Sequence, residues 1–176
     1  AKTKALVAKI NDVEVIVDIA KQLKNGKIKF VIIGAGARKK RLIEKVENEG
    51  LKNVTILPWQ DVEYLPYTLS GANIGVVTLG KGASRLAIPS KIFSLLSVGV
   101  PILGIASKES DLNNFIEFHK AGKCFIPEDI EGMAQYIIWL ANNPHQCEYL
   151  RNNALRASSL FTKKNAKTFV QNLMDI

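Results

Sequence analysis

The sequence predicts a doubly wound parallel sheet of the α/β class, and three observations predict it. Short apolar runs alternate with helical patterns along almost the whole chain. The runs are continuous rather than alternating, as in Phe30-Val31-Ile32-Ile33. Gly, Pro or Asn stands at most of the junctions. A continuous apolar run suits a strand buried on both faces of a parallel sheet. Strands alternating with helices imply right-handed crossovers into one sheet with helices on both sides.

Each element has its own reason. A short strand is expected over residues 5–9. Asn11 with Glu14 makes a capping-box pattern, and Val13, Ile16, Val17, Ala20 and Leu23 fall at helical spacing, so a helix is expected over 12–24. Asn25-Gly26 ends it. A strand over 30–33 turns through Gly34-Ala35-Gly36 into a helix over 38–49, closed by Gly50. A strand over 54–57 precedes a short helix over 62–70, which Pro66 makes irregular. Strands follow over 74–78, 101–105 and 122–126, with a helix over 112–119 begun by Ser110 or Asp111. Helices over 130–142, 146–158 and 163–174 complete the chain, punctuated by Pro144 and Thr162. There is no tandem repeat, and residues 1–176 read as a single domain.

The chain is organised around residues 88–103. Pro89 fits the first turn of a helix, and Ser90 is the expected cap for a free amide there. Ile92, Phe93, Leu95, Leu96 and Val98 make this helix apolar over most of its circumference, so deep packing is expected. Gly99 suits a left-handed exit and Pro101 prevents continuation. The loop before it carries Lys81, Ser84 and Arg85, and Lys91 opens the helix. Cations around a helix N-terminus suggest an anion site, against the plainer reading of a buried helix with solvated lysines.

Composition sets the outer limits. Apolar content of 47% and charged content of 23% belong to an ordinary globular chain. No apolar run approaches the roughly 20 residues that span a bilayer. Ala1-Lys2-Thr3-Lys4 lacks the apolar core of a signal peptide, so a cytoplasmic location is expected. Cys124 and Cys147 are too few for a disulfide framework and lack metal-ligand spacing; Cys124 is expected as a buried thiol. A formal charge of +8 admits nucleic acid, an anionic membrane or a phosphorylated ligand. The densest run, Arg38-Lys39-Lys40-Arg41, opens a helix, where cations oppose the dipole and an anionic neighbour would relieve them.

Ligands of such sheets bind beyond the carboxyl ends of the strands, which selects the loops after Ile33, Leu57, Thr78 and Ile105. Gly34-x-Gly36 lies on one of them. The dinucleotide fingerprint needs a third glycine where Lys39 stands, so nicotinamide binding is not indicated. Trp59 and Gln60 follow another strand end, where Trp59 either stacks on a ligand or packs under the next helix. His119 and His145 have no partners at catalytic spacing and read as surface or capping residues.

Pro89-Ser90-Lys91-Ile92-Phe93 followed by Ser97-Val98-Gly99-Val100-Pro101-Ile102 resembles the donor-site helix of GT-B glycosyltransferases of the retaining, group 1 type. Val31 to Gly36, Asn53 to Pro58, Leu69 to Val77 and Ala121 to Asp129 match the same family in order, so the resemblance runs from about Val13 onward. It implies a Rossmann-like domain, the C-terminal half of a GT-B architecture, binding a nucleoside diphosphate sugar. The donor-binding positions carried over are Gly34, Gly36, Trp59, Gln60, Ser84, Arg85, Pro89, Ser90, Lys91 and Ser94. No cofactor or metal is implied beyond the donor substrate. The implied partners are the nucleotide sugar, an N-terminal acceptor-binding domain or separate subunit, and the inner membrane face through the full-length enzyme. No nucleic-acid partner is expected.

Two departures from the family pattern stand out. Its Glu-x7-Glu pair falls here on Leu86 and Ser94, neither acidic. Residues 1–11 lack the usual glycine-containing loop, leaving Lys9 as the one stand-in for its basic residue. The implied activity is transfer of a sugar to a glycan or lipid-linked acceptor, with the catalytic residues unassigned. The alternatives are a nucleotide-sugar epimerase domain and a non-catalytic module that binds protein or nucleic acid through a basic face.

Overall fold

The computed structural model describes residues 4–9, 14–36, 39–80 and 88–162, and for 4–9 the backbone alone. Six parallel strands form one sheet in the order β3-β2-β1-β4-β5-β6. They are β1 (Lys4–Lys9), β2 (Ile28–Ile33), β3 (Val54–Leu57), β4 (Ile74–Thr78), β5 (Ile102–Ile105) and β6 (Gly122–Phe125). The order reverses between β1 and β4, so the switch point lies at the middle of the sheet. The helices are α1 (Glu14–Gln22), α2 (Lys39–Asn48), α3 (Leu65–Ser70), α4 (Lys91–Ser97), α5 (Asp111–His119), α6 (Ile130–Asn142) and α7 (Pro144–Ser159).

Two apolar clusters fill the space on either side of the sheet. One joins α1, α2 and α6 through Ile16, Ile19, Leu42, Met133 and Ile137 to Phe30, Ile32 and Val76. The other joins α3, α4, α5 and α7 through Leu69, Ile92, Leu96, Leu112, Ile116 and Ala154 to Val77 and Ile102. Helix α7 contributes to both, with Cys147 and Leu150 in the first and Ala154 and Ala157 in the second. The β5 pattern is buried at every position, as is that of β4, which is why both read as continuous apolar runs.

Several boundaries differ from expectation for local reasons. Strand β2 begins at Ile28 because β1 pairs with it over six positions, from Lys4↔Ile28 to Lys9↔Ile33. That pairing draws in the polar, exposed Lys29. Residues 62–70 split into a 3-10 turn, Val62–Tyr64, and α3; Pro66 sits in the first turn of α3, where its missing N–H is tolerated. Helix α7 starts at Pro144 for the same reason.

Helix α4 corrects one expectation and meets another. Ser90 makes no side-chain capping bond. Its own backbone is already helical (φ −56, ψ −26), whereas a capping hydroxyl needs an extended residue to reach back to the next amides. The first turn is instead closed by backbone bonds, Ile92 N to Pro89 O at 3.0 Å and Phe93 N to Ser90 O at 3.1 Å. Ile92, Leu95 and Leu96 are buried while Phe93 and Val98 are half-buried, and Gly99 takes the expected left-handed exit at φ +67.

His119 lies half-buried in the last turn of α5, its ring 4.5 Å from Phe115 and 5.0 Å from Phe118, and partial burial lowers its pKa. Cys124 is half-buried rather than fully buried, yet desolvation still pushes its thiol up to about 11. In the basic run, Arg41 meets Glu14 of α1 at 3.3 Å, and nearby Lys45 meets Asp18 at 2.8 Å. Such exposed pairs are worth about 0–1 kcal/mol each. Asn11, Arg38 and the helix expected over 163–174 lie outside the described residues.

Candidate functional site

The carboxyl edge of the sheet gathers eight of the ten candidate positions in two groups. Gly34 and Gly36 leave β2, and Trp59 and Gln60 leave β3; these strands are paired, with Ile33 opposite Leu57. Gly34 N continues the ladder by donating to Leu57 O at 3.3 Å. The second group, Pro89, Ser90, Lys91 and Ser94, lies at the start of α4 after β4. Strand β1 runs between β2 and β4 and ends at Lys9, so the two groups flank the switch point. Two inter-strand spacings, roughly 10 Å, separate the β2 and β4 exits. Ser84, Arg85, Lys81 and Leu86 lie outside the described residues, as does the side chain of Lys9.

The first group leaves its surface open. Gly36 has φ +151, and a Cβ built there would meet nothing within 4 Å. Its carbonyl accepts from Lys39 N at 3.0 Å, which ties the turn to the start of α2. Trp59 is 58% exposed, which excludes packing under the next helix. Val62, Tyr64 and Tyr67 are exposed beside it in sequence. Gln60 is half-buried, and its Oε1 accepts from Thr68 Oγ1 of α3 at 2.6 Å. That bond fixes the amide and leaves Nε2 as the group able to read a ligand edge.

In the second group, the seven residues of α4 make about two turns. Ser90, Ser94 and Ser97 recur at the i, i+4, i+7 spacing of one helix face, opposite buried Ile92, Leu95 and Leu96. Ser97 Oγ donates to Ser94 O at 2.9 Å, so this face is hydroxyl-lined. Lys91, half-buried, stands between the serine face and the core face. Among the described residues no group of three or more His, Cys, Asp or Glu side chains is placed to hold a metal ion.

Residues 5–157 match the family described as glycosyl transferases group 1. The chain belongs to that family. It is 28% identical over 141 residues to the colanic acid biosynthesis glycosyl transferase WcaI of Escherichia coli (strain K12), covering 77% of this chain and 35% of WcaI. Among solved structures, S. aureus TarM in complex with Fondaparinux, alpha-GlcNAc-glycerol and UDP superposes with a TM-score of 0.77 at 17% identity, covering 99% of this chain and 36% of TarM. The C-terminal domain of the group 1 protein LpcC from Francisella tularensis superposes with a TM-score of 0.68 at 16% identity, covering 89% of this chain and 85% of that one. The chain thus spans about a third of the length of the curated relatives it matches. These group 1 matches support neither the epimerase reading nor the non-catalytic module. The single parallel sheet covered by helices on both faces is the fold of its GT-B glycosyltransferase neighbours.

One feature of the surface was not legible in the sequence. A groove lies along the outer edge of β6, walled by α6 and reached by Glu117 of α5 and Gln146 of α7. Tyr136 and Trp139 at i, i+3 were visible as neighbours on one helix, but Lys123, Glu117 and Gln146 come from three other elements.

Proposed function

We propose that this chain is the donor-binding half of a glycosyltransferase that moves a sugar from a nucleoside diphosphate to a glycan or lipid-linked acceptor. The observation that carries the reading is the placement of the family-matched residues on both sides of the β1–β4 switch point. The diphosphate lies near the start of α4, where backbone amides and Lys91 offset its charge. By family analogy Arg85 and Lys9 are further cations, and Ser84 a further neutral donor, assigned to this contact. Trp59 stacks on the base and Gln60 Nε2 meets its edge.

The chemistry asked of this half is electrostatic. Donors fixed by the fold stabilise the charge that develops on the departing diphosphate as the sugar–oxygen bond breaks. Ser94 stands where the family commonly has a glutamate, so it offers the ribose a neutral hydrogen bond and no charge. The acceptor-activating groups belong to a second domain that faces this edge, and the transfer retains anomeric configuration by family analogy. Attachment to the inner membrane face, if the enzyme uses a lipid-linked acceptor, belongs to that full-length assembly.

Calorimetry with uridine and UDP tests the site, UDP being the nucleotide in the TarM complex. The diphosphate is expected to bind at least about tenfold more tightly, the equivalent of ~1.4 kcal/mol. Equal affinities would count against a diphosphate site at this edge. Sugar transfer is expected to require the second domain; turnover by these 176 residues alone would overturn the half-enzyme reading.

A further inference from the structure

We propose that the groove along the outer edge of β6 binds a neutral saccharide, at a place separate from the nucleotide edge. The groove encloses about 580 Å³. Strand β6 is the last of the sheet, so its outer backbone edge carries no further strand. The groove runs from Gly122 at the start of β6 to Asp129, the cap of α6, and on along that helix to Trp139.

Its wall is aromatic. The rings of Tyr136 and Trp139 stack at 25° with centroids 5.9 Å apart, and Phe125 lies 5.5 Å from Tyr136. Trp139 is 46% exposed, and its ring lies offset and within 25° of parallel to that of Tyr136. A rigid, half-exposed aromatic pair is a preformed platform for an apolar ligand face.

The rim is polar and only partly satisfied. Among the described residues, the Glu117 carboxylate and the Gln146 amide make no side-chain hydrogen bond. Asp129, which lines the groove, accepts from Gly132 N through Oδ1 at 2.9 Å. Lys123 Nζ lies 5.0 Å from the Phe125 ring centre and 5.9 Å from that of Tyr136, so its charge rests against the aromatic wall.

These groups discriminate among ligand classes. Two carboxylates face one ammonium, so the groove carries a formal charge of about −1 on a chain of +8, and a phosphate or nucleotide is disfavoured there. A wholly apolar ligand would cover Glu117 and Gln146 without pairing them. An added peptide strand would meet a four-residue edge bearing Lys123, features that discourage strand pairing. A pyranose satisfies both halves of the site. Its C–H face stacks on the indole, and its equatorial hydroxyls donate to the carboxylates and exchange bonds with the amide. This inference stands on the β6 edge alone and goes beyond the donor site.

The two tryptophans, Trp59 and Trp139, make the test direct, because each reports one site through its indole N–H resonance. The uniformly 15N-labelled chain is titrated separately with maltotriose, cellotriose, chitotriose and UDP, the two signals being assigned with Trp59→Phe and Trp139→Phe. At least one trisaccharide is expected to shift the Trp139 resonance at millimolar concentration while Trp59 stays in place. Trp139→Ala should abolish the saccharide-dependent shifts of neighbouring backbone amides, and Gln146→Ala should weaken binding about threefold or more. Both side chains are at least partly exposed, and circular dichroism checks that each variant is folded. The proposal is overturned if no trisaccharide moves the Trp139 signal, if Trp59 moves instead, or if Trp139→Ala titrates like the parent. A missing UDP shift at Trp59 would bear on the nucleotide reading alone.

Discussion

Lys91 and Ser94 stand one turn apart on α4 and offer a ligand very different energies. A charge-assisted hydrogen bond from Lys91 to a diphosphate is worth roughly 1.5–3 kcal/mol, against about 0.5–1.5 kcal/mol for a neutral bond from Ser94. Lys91→Ala should therefore weaken UDP binding about tenfold or more, and Ser94→Ala should cost less. Ser94→Glu is expected to regain a ribose contact. Calorimetry of the three folded variants at one salt concentration reads the order; a Lys91→Ala protein that binds like the parent places the diphosphate elsewhere. Gly122 is decided by sterics instead. A Cβ there would collide with the Ile102 carbonyl oxygen and lie 2.6 Å from its carbon and 2.8 Å from its nitrogen. Backbone cannot move aside as a side chain can, so Gly122→Ala should destabilise the chain by about 3 kcal/mol or more, read by urea denaturation.

Among the elements, α5 and α4 begin in opposite ways. Ser110 is fully buried with an extended backbone; its Oγ accepts from Asn113 N at 3.2 Å and donates to Ser107 O at 2.7 Å. Ser110→Ala loses the cap and strands the amide of Asn113, costing about 1–2 kcal/mol in urea denaturation. Ser90→Ala has no such bond to lose and should leave stability within about 0.5 kcal/mol of the parent. Comparing the two substitutions tests whether the start of α4 is held by its packed face rather than by a cap. The proline–serine start of α4 was legible as a helix entry, but the helical φ and ψ of Ser90 were not, because they depend on how the preceding loop arrives. The start of α5 was legible as Ser110 or Asp111, because a capping residue before an apolar helical pattern needs no distant partner, and the structure chose Ser110.

For the whole molecule, pH dependence follows from groups that burial holds neutral. His119 has its pKa lowered by burial in the aromatic cluster, so its contribution is present above the ordinary value of 6.5 and is lost as pH falls through its folded value. The Cys124 thiol is raised from 9.0 to about 11 and the Tyr136 hydroxyl from 10.0 to about 12, mainly by desolvation. Their contributions are complete below the ordinary values and are lost as pH rises through the folded ones. Thermal melting should accordingly show a plateau near neutrality, with Tm falling in acid and again above about pH 9. Native Cys124 should react slowly with a thiol reagent at pH 8, since the thiolate is the nucleophile, and speed up on unfolding.

The sequence by itself determined the strand-and-helix alternation, the continuous strands β4 and β5, the exit at Gly99 and the family motifs on the sheet's carboxyl edge. All are local: they follow from hydrophobic period, from the φ that glycine permits, and from the missing N–H of proline. Tertiary structure decided what depends on pairing between distant residues. The six-position register with β1 lengthened β2, Thr68 fixed the Gln60 amide, and Phe161 from beyond α7 came to 6.1 Å from the His119 ring. The groove at β6 draws on four elements that are separated in sequence. Its side chains become neighbours only when the sheet edge and its helices pack, so no spacing along the chain could announce it.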